Sequence, residues 1–172
     1  MRNLTPAEIV GQFMVARDSY KEWPTPTDER RMLSNIVLMG MGEPLHNYDE
    51  TMKALDILAD DHGFRVPMRR VTLSTVGVLP ALERLAGERL MPNLAISLHA
   101  PTDEQRGSLV PLNRKFGIAA VIDACRRFPV RKRSRITFEY VLLAGVNDSP
   151  GDARRLATLL RGIKAKVNII PL

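Results

Sequence analysis

The feature that most constrains this chain is alternation: short apolar, β-favouring runs are separated by stretches of helical periodicity. Runs at 34–39, 69–75, 93–99, 135–143 and 166–171 read as strands. Helices are expected between them, near 48–59, 79–85, 118–128 and 148–160. Another helix precedes every strand, because Thr5-Pro6-Ala7-Glu8 is a capping box with proline at the first helical position. It should run to about Asp18, with Ile9, Val10, Phe13 and Met14 on its apolar face. Strand–helix alternation means βα units and a parallel sheet. Right-handed crossovers bring every strand's C-terminal end to one side, where such sheets and barrels bind ligands.

Those ends carry suggestive residues. The run at 34–39 is continuously apolar from Ile36 to Met39, as suits a strand covered on both faces. It breaks into Gly40-Met41-Gly42-Glu43-Pro44. Two glycines permit backbone angles closed to other residues and leave the main chain bare. The result is a ledge with Glu43 beside it. Later strands end in Ser74-Thr75, in Ser97-Leu98-His99 and at the turn Gly145-Val146-Asn147-Asp148.

At 172 residues the chain is one domain's worth. A net charge of +6 allows an anionic partner without requiring one. The single cysteine, Cys125, excludes an internal disulfide framework and cannot alone build a metal site. It reads as an apolar helix residue beside Val121 and Ile122. No apolar run approaches the roughly 20 residues needed to cross a bilayer, and the N-terminus lacks a secretion signal's layout. A cytoplasmic protein without a membrane partner is expected.

Other features carry structural expectations. Helix 48–59 should bury Met52, Leu55, Ile57 and Leu58, with His62-Gly63 ending it. Glu139, mid-strand, should pair with Arg70 or Lys166, and His46 and His62 should be loop residues. The stretch 20–29, with Pro24 and Pro26 around Trp23, reads as a loop, as does 111–115. The basic cluster Arg126, Arg127, Arg131, Lys132, Arg133 and Arg135 is a solvated face or a surface that tracks phosphates. It lacks interleaved aromatics, so base reading is not expected. A leading helix without a preceding strand, and a closing strand without a partner, would leave sheet edges exposed. A piece of a larger (β/α) barrel explains this better than a self-contained open sheet with short, protected edges.

Six blocks then occur in order: Gly40-Met41-Gly42-Glu43-Pro44-Leu45, Arg70-Val71-Thr72-Leu73-Ser74-Thr75-Val76-Gly77, Leu94-Ala95-Ile96-Ser97-Leu98-His99-Ala100, Leu109-Val110-Pro111-Leu112-Asn113-Arg114-Lys115, Phe138-Glu139-Tyr140-Val141-Leu142-Leu143 and Lys166-Val167-Asn168-Ile169-Ile170-Pro171-Leu172. Together they closely resemble the radical S-adenosylmethionine (SAM) RNA methyltransferases that methylate adenine C2 in 23S rRNA and certain tRNAs. The resemblance covers essentially the whole chain. A sister group methylates C8 of the same ribosomal adenine, and these blocks do not separate the two.

The resemblance implies a partial (β/α) barrel of the radical SAM type, with about five parallel strands and flanking helices. It implies SAM and a 4Fe–4S cluster as cofactors. The implied partners are 23S rRNA, tRNA and an external electron donor, in an enzyme that is monomeric at full length. It places the amino group of the SAM methionine moiety at Gly42 and Glu43, and a hydroxyl contact at Ser74. Ser97, Leu98 and His99 would follow, Ser97 through its hydroxyl, Leu98 through apolar surface. A further SAM contact, an asparagine, would lie past Leu172.

The family holds its cluster in a Cys-x3-Cys-x2-Cys loop after the first barrel strand. It carries methyl on a cysteine of a C-terminal segment, assisted by a second cysteine and an upstream glutamate. None has a counterpart here, so no catalytic or metal residue is assigned to this chain. The expectation is a single domain, 1–172, forming an incomplete radical SAM core without the first strand, cluster loop, N-terminal domain and C-terminal tail. By resemblance the parent uses two SAM molecules. One methylates the C-terminal cysteine, and the reduced cluster cleaves the other. Alone, the chain is expected to be inactive. The alternative is a remnant that binds RNA or a nucleotide without catalysis.

Overall fold

The structure is a computed structural model and describes residues 2–22 and 32–172. The expected loop at 20–29 therefore lies, from Trp23 onward, outside the described residues. Helix α1 (Pro6–Ser19) opens on the expected capping box, in which Thr5 and Glu8 exchange hydrogen bonds. Strands β1 (Ile36–Leu38), β2 (Val71–Thr75), β3 (Asn93–Ser97), β4 (Ile136–Leu142) and β5 (Ala165–Pro171) follow. Between them lie α2 (Tyr48–Ala59), α3 (Leu79–Ala86), α4 (Asp103–Leu109), α5 (Ile118–Arg127) and α6 (Pro150–Leu159).

The strands form one sheet in the order β1-β2-β3-β4-β5, each parallel to its neighbours. Stepwise winding without reversal is barrel winding, so the chain is an α/β partial barrel with flanking helices. Along each strand, alternate side chains face opposite sides. Val71, Leu73, Leu94, Ile96, Ile136 and Phe138 face the helices and are buried there against Leu55, Leu58, Leu82, Leu85, Val121 and Ile122. Each such side chain contributes about 1.5–3 kcal/mol by leaving water. The intervening residues, among them Thr72, Ser74, Ser97, Thr137 and Glu139, face the opposite, inner side.

That inner face explains several departures from the sequence reading. Strand β1 is shorter than expected and is not covered on both faces, since Val37 is 58% exposed. It pairs only with β2, and no described layer covers its inner side. At the other edge of the sheet, every residue of β5 from Lys166 to Pro171 is exposed. In α2 the buried stripe is Tyr48, Met52, Leu55 and Leu58, while Ile57 points outward. Met14 likewise lies at the exposed side of α1. Arg69 and Arg70 occupy a 3-10 turn before β2 rather than the strand, and Pro111–Arg114 is a 3-10 turn rather than an irregular loop.

Candidate ligand-binding ledge at the strand ends

After β1 the chain turns through Gly40 and Gly42 at φ 124° and 94°. Both angles lie in the region that side chains disfavour, so the two glycines are needed for conformation. Glu43 follows and holds the turn. Its Oε1 accepts the Leu45 amide at 2.9 Å and its Oε2 accepts the Val76 amide at 2.8 Å. Glu43 thus ties the end of β1 to the loop after β2. Each carboxylate oxygen keeps a further lone pair for an ammonium group.

Beside this turn, Ser74 and Ser97 bring their Oγ atoms to 3.4 Å, both half-buried on the inner face. Their row continues across the sheet. Glu139 pairs in register with Ser97 and with Asn168, and its Oε2 accepts from the side-chain Nδ2 of Asn168 at 2.7 Å. The expected partners Arg70 and Lys166 are not used. Register places Lys166 opposite Thr137, and Arg70 reaches the Ser34 carbonyl instead.

The end of β3 is unusual. The amides of Leu98 and His99 both donate to the Glu139 carbonyl, at 3.1 Å each. His99 adopts φ 61°, uncommon for a residue other than glycine and a sign of local strain. Asn147 holds it there. Its Nδ2 donates to the His99 and Val141 carbonyls at 2.7 Å each, and its Oδ1 accepts the Leu143 amide at 2.7 Å. The Tyr140 hydroxyl donates to the Asn147 carbonyl at 2.6 Å. His99 Nδ1 accepts the Val141 amide at 3.2 Å, which puts the imidazole proton on Nε2. Burial, and then the Arg106 charge, hold its pKa below the ordinary histidine value, against an opposing effect of Glu139. A neutral imidazole with one N–H to donate results. Leu98 is fully buried toward the helices, so the apolar surface expected from it is not at the ledge.

Arg106 escaped the sequence reading, which named Asn147 only as part of the turn at 145–148, and both residues organise this corner. Arg106 is fully buried. Its Nε donates to the Leu98 carbonyl at 3.1 Å, and its Nη2 to the Val76 and Ser97 carbonyls at 2.6 and 3.1 Å. Its Nη1 donates to Asn113 Oδ1 at 2.9 Å. Asn113 Nδ2 in turn donates to Asp103 Oδ1 at 3.0 Å, and that oxygen also accepts the Ile118 amide at 2.8 Å. One guanidinium therefore joins the ends of β2 and β3 to the start of α5. A run as polar as α4 gives no periodicity signal for a buried arginine, a residue type almost always at the surface.

A bare glycine turn, one carboxylate, two hydroxyls and an imidazole N–H suit a ligand with an ammonium group and several hydrogen-bonding atoms. These residues fit SAM. They do not fit an iron–sulfur cluster, which needs thiolates. Cys125 lies buried in α5, and burial pushes its thiol up to about 12. Among the described residues no three His, Cys, Asp or Glu side chains are grouped to hold a metal. His46 lies in a 3-10 turn and His62 in a turn after α2, neither in the row. Among the described residues no helix is long and apolar enough to cross a membrane.

Residues 27–157 match the radical SAM superfamily model. The chain is 58% identical over 172 residues to a dual-specificity RNA methyltransferase RlmN of Rhodospirillum rubrum, and 60% identical over 173 residues to that of Gluconobacter oxydans. Each match takes in 99% of this chain but 40% and 42% of those relatives, so the chain spans about two fifths of their length. A crystal structure of a radical SAM methyltransferase from Sphaerobacter thermophilus superposes with a TM-score of 0.91 at 49% identity, covering 100% of this chain and 49% of that one. With the matched model spanning most of its length, the chain belongs to the radical SAM superfamily.

Proposed function

We propose that this chain is the SAM-holding part of a radical SAM enzyme that methylates C2 of an adenine in 23S rRNA and in certain tRNAs. The observation that carries the reading is the row of polar groups along the strand ends: Gly42 and Glu43, then Ser74, Ser97 and His99. In this reading the carbonyls of the glycine turn and Glu43 accept hydrogen bonds from the SAM ammonium. The Ser74 and Ser97 hydroxyls take its polar end, the main chain at Leu98 lines the site, and the His99 Nε2–H donates to an acceptor on the ligand. When bound, SAM supplies the transferable methyl group. The protein's share is to bind, orient and exclude water.

No electron-transfer step is assigned to this chain, because its residues do not fit the cluster. In this reading the thiolates, the methyl-carrying cysteine and the docking of an electron donor belong to segments outside the 172 residues. The test compares the purified chain with a chimera in which it replaces the matching stretch of the Rhodospirillum rubrum relative. Both are given reductant, SAM and a 23S rRNA fragment, and RNA nucleosides are read by mass spectrometry. The chimera should form 2-methyladenosine and the chain alone none. Methylation by the chain alone, 8-methyladenosine from the chimera, or an inactive chimera that folds and carries its cluster would contradict the proposal.

A further inference from the structure

The ledge occupies the C-terminal ends of the strands, and the basic cluster lies at the other end. Residues 128–135 lead into β4, just as 60–70 lead into β2, 87–92 into β3 and 160–164 into β5. Hydrogen bonds stitch these segments into one rim. Arg70 Nη1 donates to the Ser34 carbonyl at 3.4 Å, and Asn93 Nδ2 to the Arg69 carbonyl at 2.8 Å. Ser134 Oγ donates to Asn93 Oδ1 at 3.4 Å, Arg131 bonds the Met91 carbonyl, and the Ile136 amide donates to the Lys164 carbonyl at 2.9 Å.

This rim is rich in cations without counter-ions. Arg69, Lys132, Arg133, Arg135 and Lys164 are exposed, and Arg70 is half-buried. None of the six has an ion-pair partner among the described residues, where the pairs formed lie elsewhere: Arg2–Glu8, Arg84–Asp49, Arg126–Asp123, Arg127–Glu83 and Arg155–Asp152. Three carboxylates, Asp60, Asp61 and Glu88, stand on the same segments; one Asp60 oxygen is taken by the His62 amide and one Glu88 oxygen by the Tyr48 hydroxyl. Unneutralised cations that repel one another cost stability. A line of cations raises the local positive potential and attracts a polyanion. The segments that carry it are tied to one another mostly by side-chain hydrogen bonds to main-chain carbonyls, which sets these cations side by side along one end of the sheet.

We infer that the N-terminal rim of the sheet is an RNA-docking surface that tracks phosphates, separate from the ledge. Strands of 5 and 7 residues, β3 and β4, set the two ends about 17–24 Å apart. A folded RNA engaging both must therefore wrap the wall of the sheet or reach it with a second helix. The rim offers cations but no row of aromatic side chains, so it positions RNA without reading its sequence. The choice of RNA over another polyanion rests on the RNA-modifying reading above.

The test uses the 172-residue chain and a fluorescent RNA stem–loop, with anisotropy read between about 50 and about 200 mM salt. The double variant Lys132→Glu/Arg133→Glu is compared with Lys53→Glu/Arg154→Glu, which makes the same change in net charge on exposed helix positions. Removing two phosphate contacts should weaken binding about tenfold at the lower salt and flatten the salt slope by about 1.5. The control pair should do much less. Equal effects of the two pairs, no effect of the rim pair, or equally good displacement of the RNA by polyglutamate would overturn the inference. SAM binding, measured on the same proteins, should be unchanged by the rim pair. If SAM fails to bind while the rim result holds, the ledge reading falls and the rim stands.

Discussion

Arg106 donates to Asn113 across the inside of the protein, Nη1 to Oδ1 at 2.9 Å, and through that bond a fully buried charge is locked beneath the ledge. Three more of its N–H groups go to main-chain carbonyls of Val76, Ser97 and Leu98. The shelf formed by β2 and β3 is therefore braced from below.

Arg106→Leu should destabilise the chain by about 3–5 kcal/mol, since it strands several buried acceptors. Arg106→Lys should recover little, because a single ammonium cannot reproduce a planar fork that reaches three carbonyls and an amide oxygen. Urea unfolding followed by circular dichroism measures both, and full recovery by lysine would argue against the fork geometry.

Asn147 spends its side chain on three main-chain groups around His99. Asn147→Ala leaves two carbonyls and an amide unpartnered, each worth about 1–3 kcal/mol when buried. It should also release His99 from its left-handed conformation. SAM affinity should then fall more than the loss of stability explains when measured at a temperature where both proteins are folded. His99→Asn should be tolerated better than His99→Val, because asparagine accepts this backbone region and a β-branched residue does not.

His99 also sets a pH dependence. Its folded pKa lies below the ordinary value near 6.5, so between the two the unfolded chain binds more protons. Its neutral form contributes stability that is fully present above about pH 6.5 and is lost as the pH falls below it. The urea midpoint should drop more steeply on acidification for the natural protein than for His99→Gln. Parallel curves would remove His99 as the source, since His46 and His62 remain in both.

Cys125 should resist alkylation in the folded chain. Burial raises its thiol to about 12, so almost no thiolate exists at about pH 8. Iodoacetamide followed by mass spectrometry should label it only in denaturant. Labelling of the folded chain at the rate of a free thiol would mean that α5 opens readily.

Much of this architecture is legible in the residues because it is written locally. Strand–helix alternation, the Thr5–Glu8 capping box and the glycines of the first turn each announce themselves within a few positions. The cap of α6 is nearly as plain, since Ser149 and Asp152 exchange bonds one residue past Asp148. What stayed hidden depends on register and distance. The partner of Glu139 is Asn168 because of how β4 meets β5. The roles of Arg106 and Asn147 depend on carbonyls brought close only by folding. The exposure of Val37 and Ile169 follows from an uncovered inner face and a free sheet edge, which an apolar run cannot signal by itself.

The most direct test of the ledge is equilibrium dialysis of radiolabelled SAM against the 172-residue chain, with Ser97→Val and Gly42→Val as variants and circular dichroism to show that each is folded. Saturable binding that S-adenosylhomocysteine displaces, weakened about tenfold or more by either substitution, is the predicted result. A folded chain that binds no SAM at millimolar concentration, or binds it equally well with both substitutions, would contradict the account.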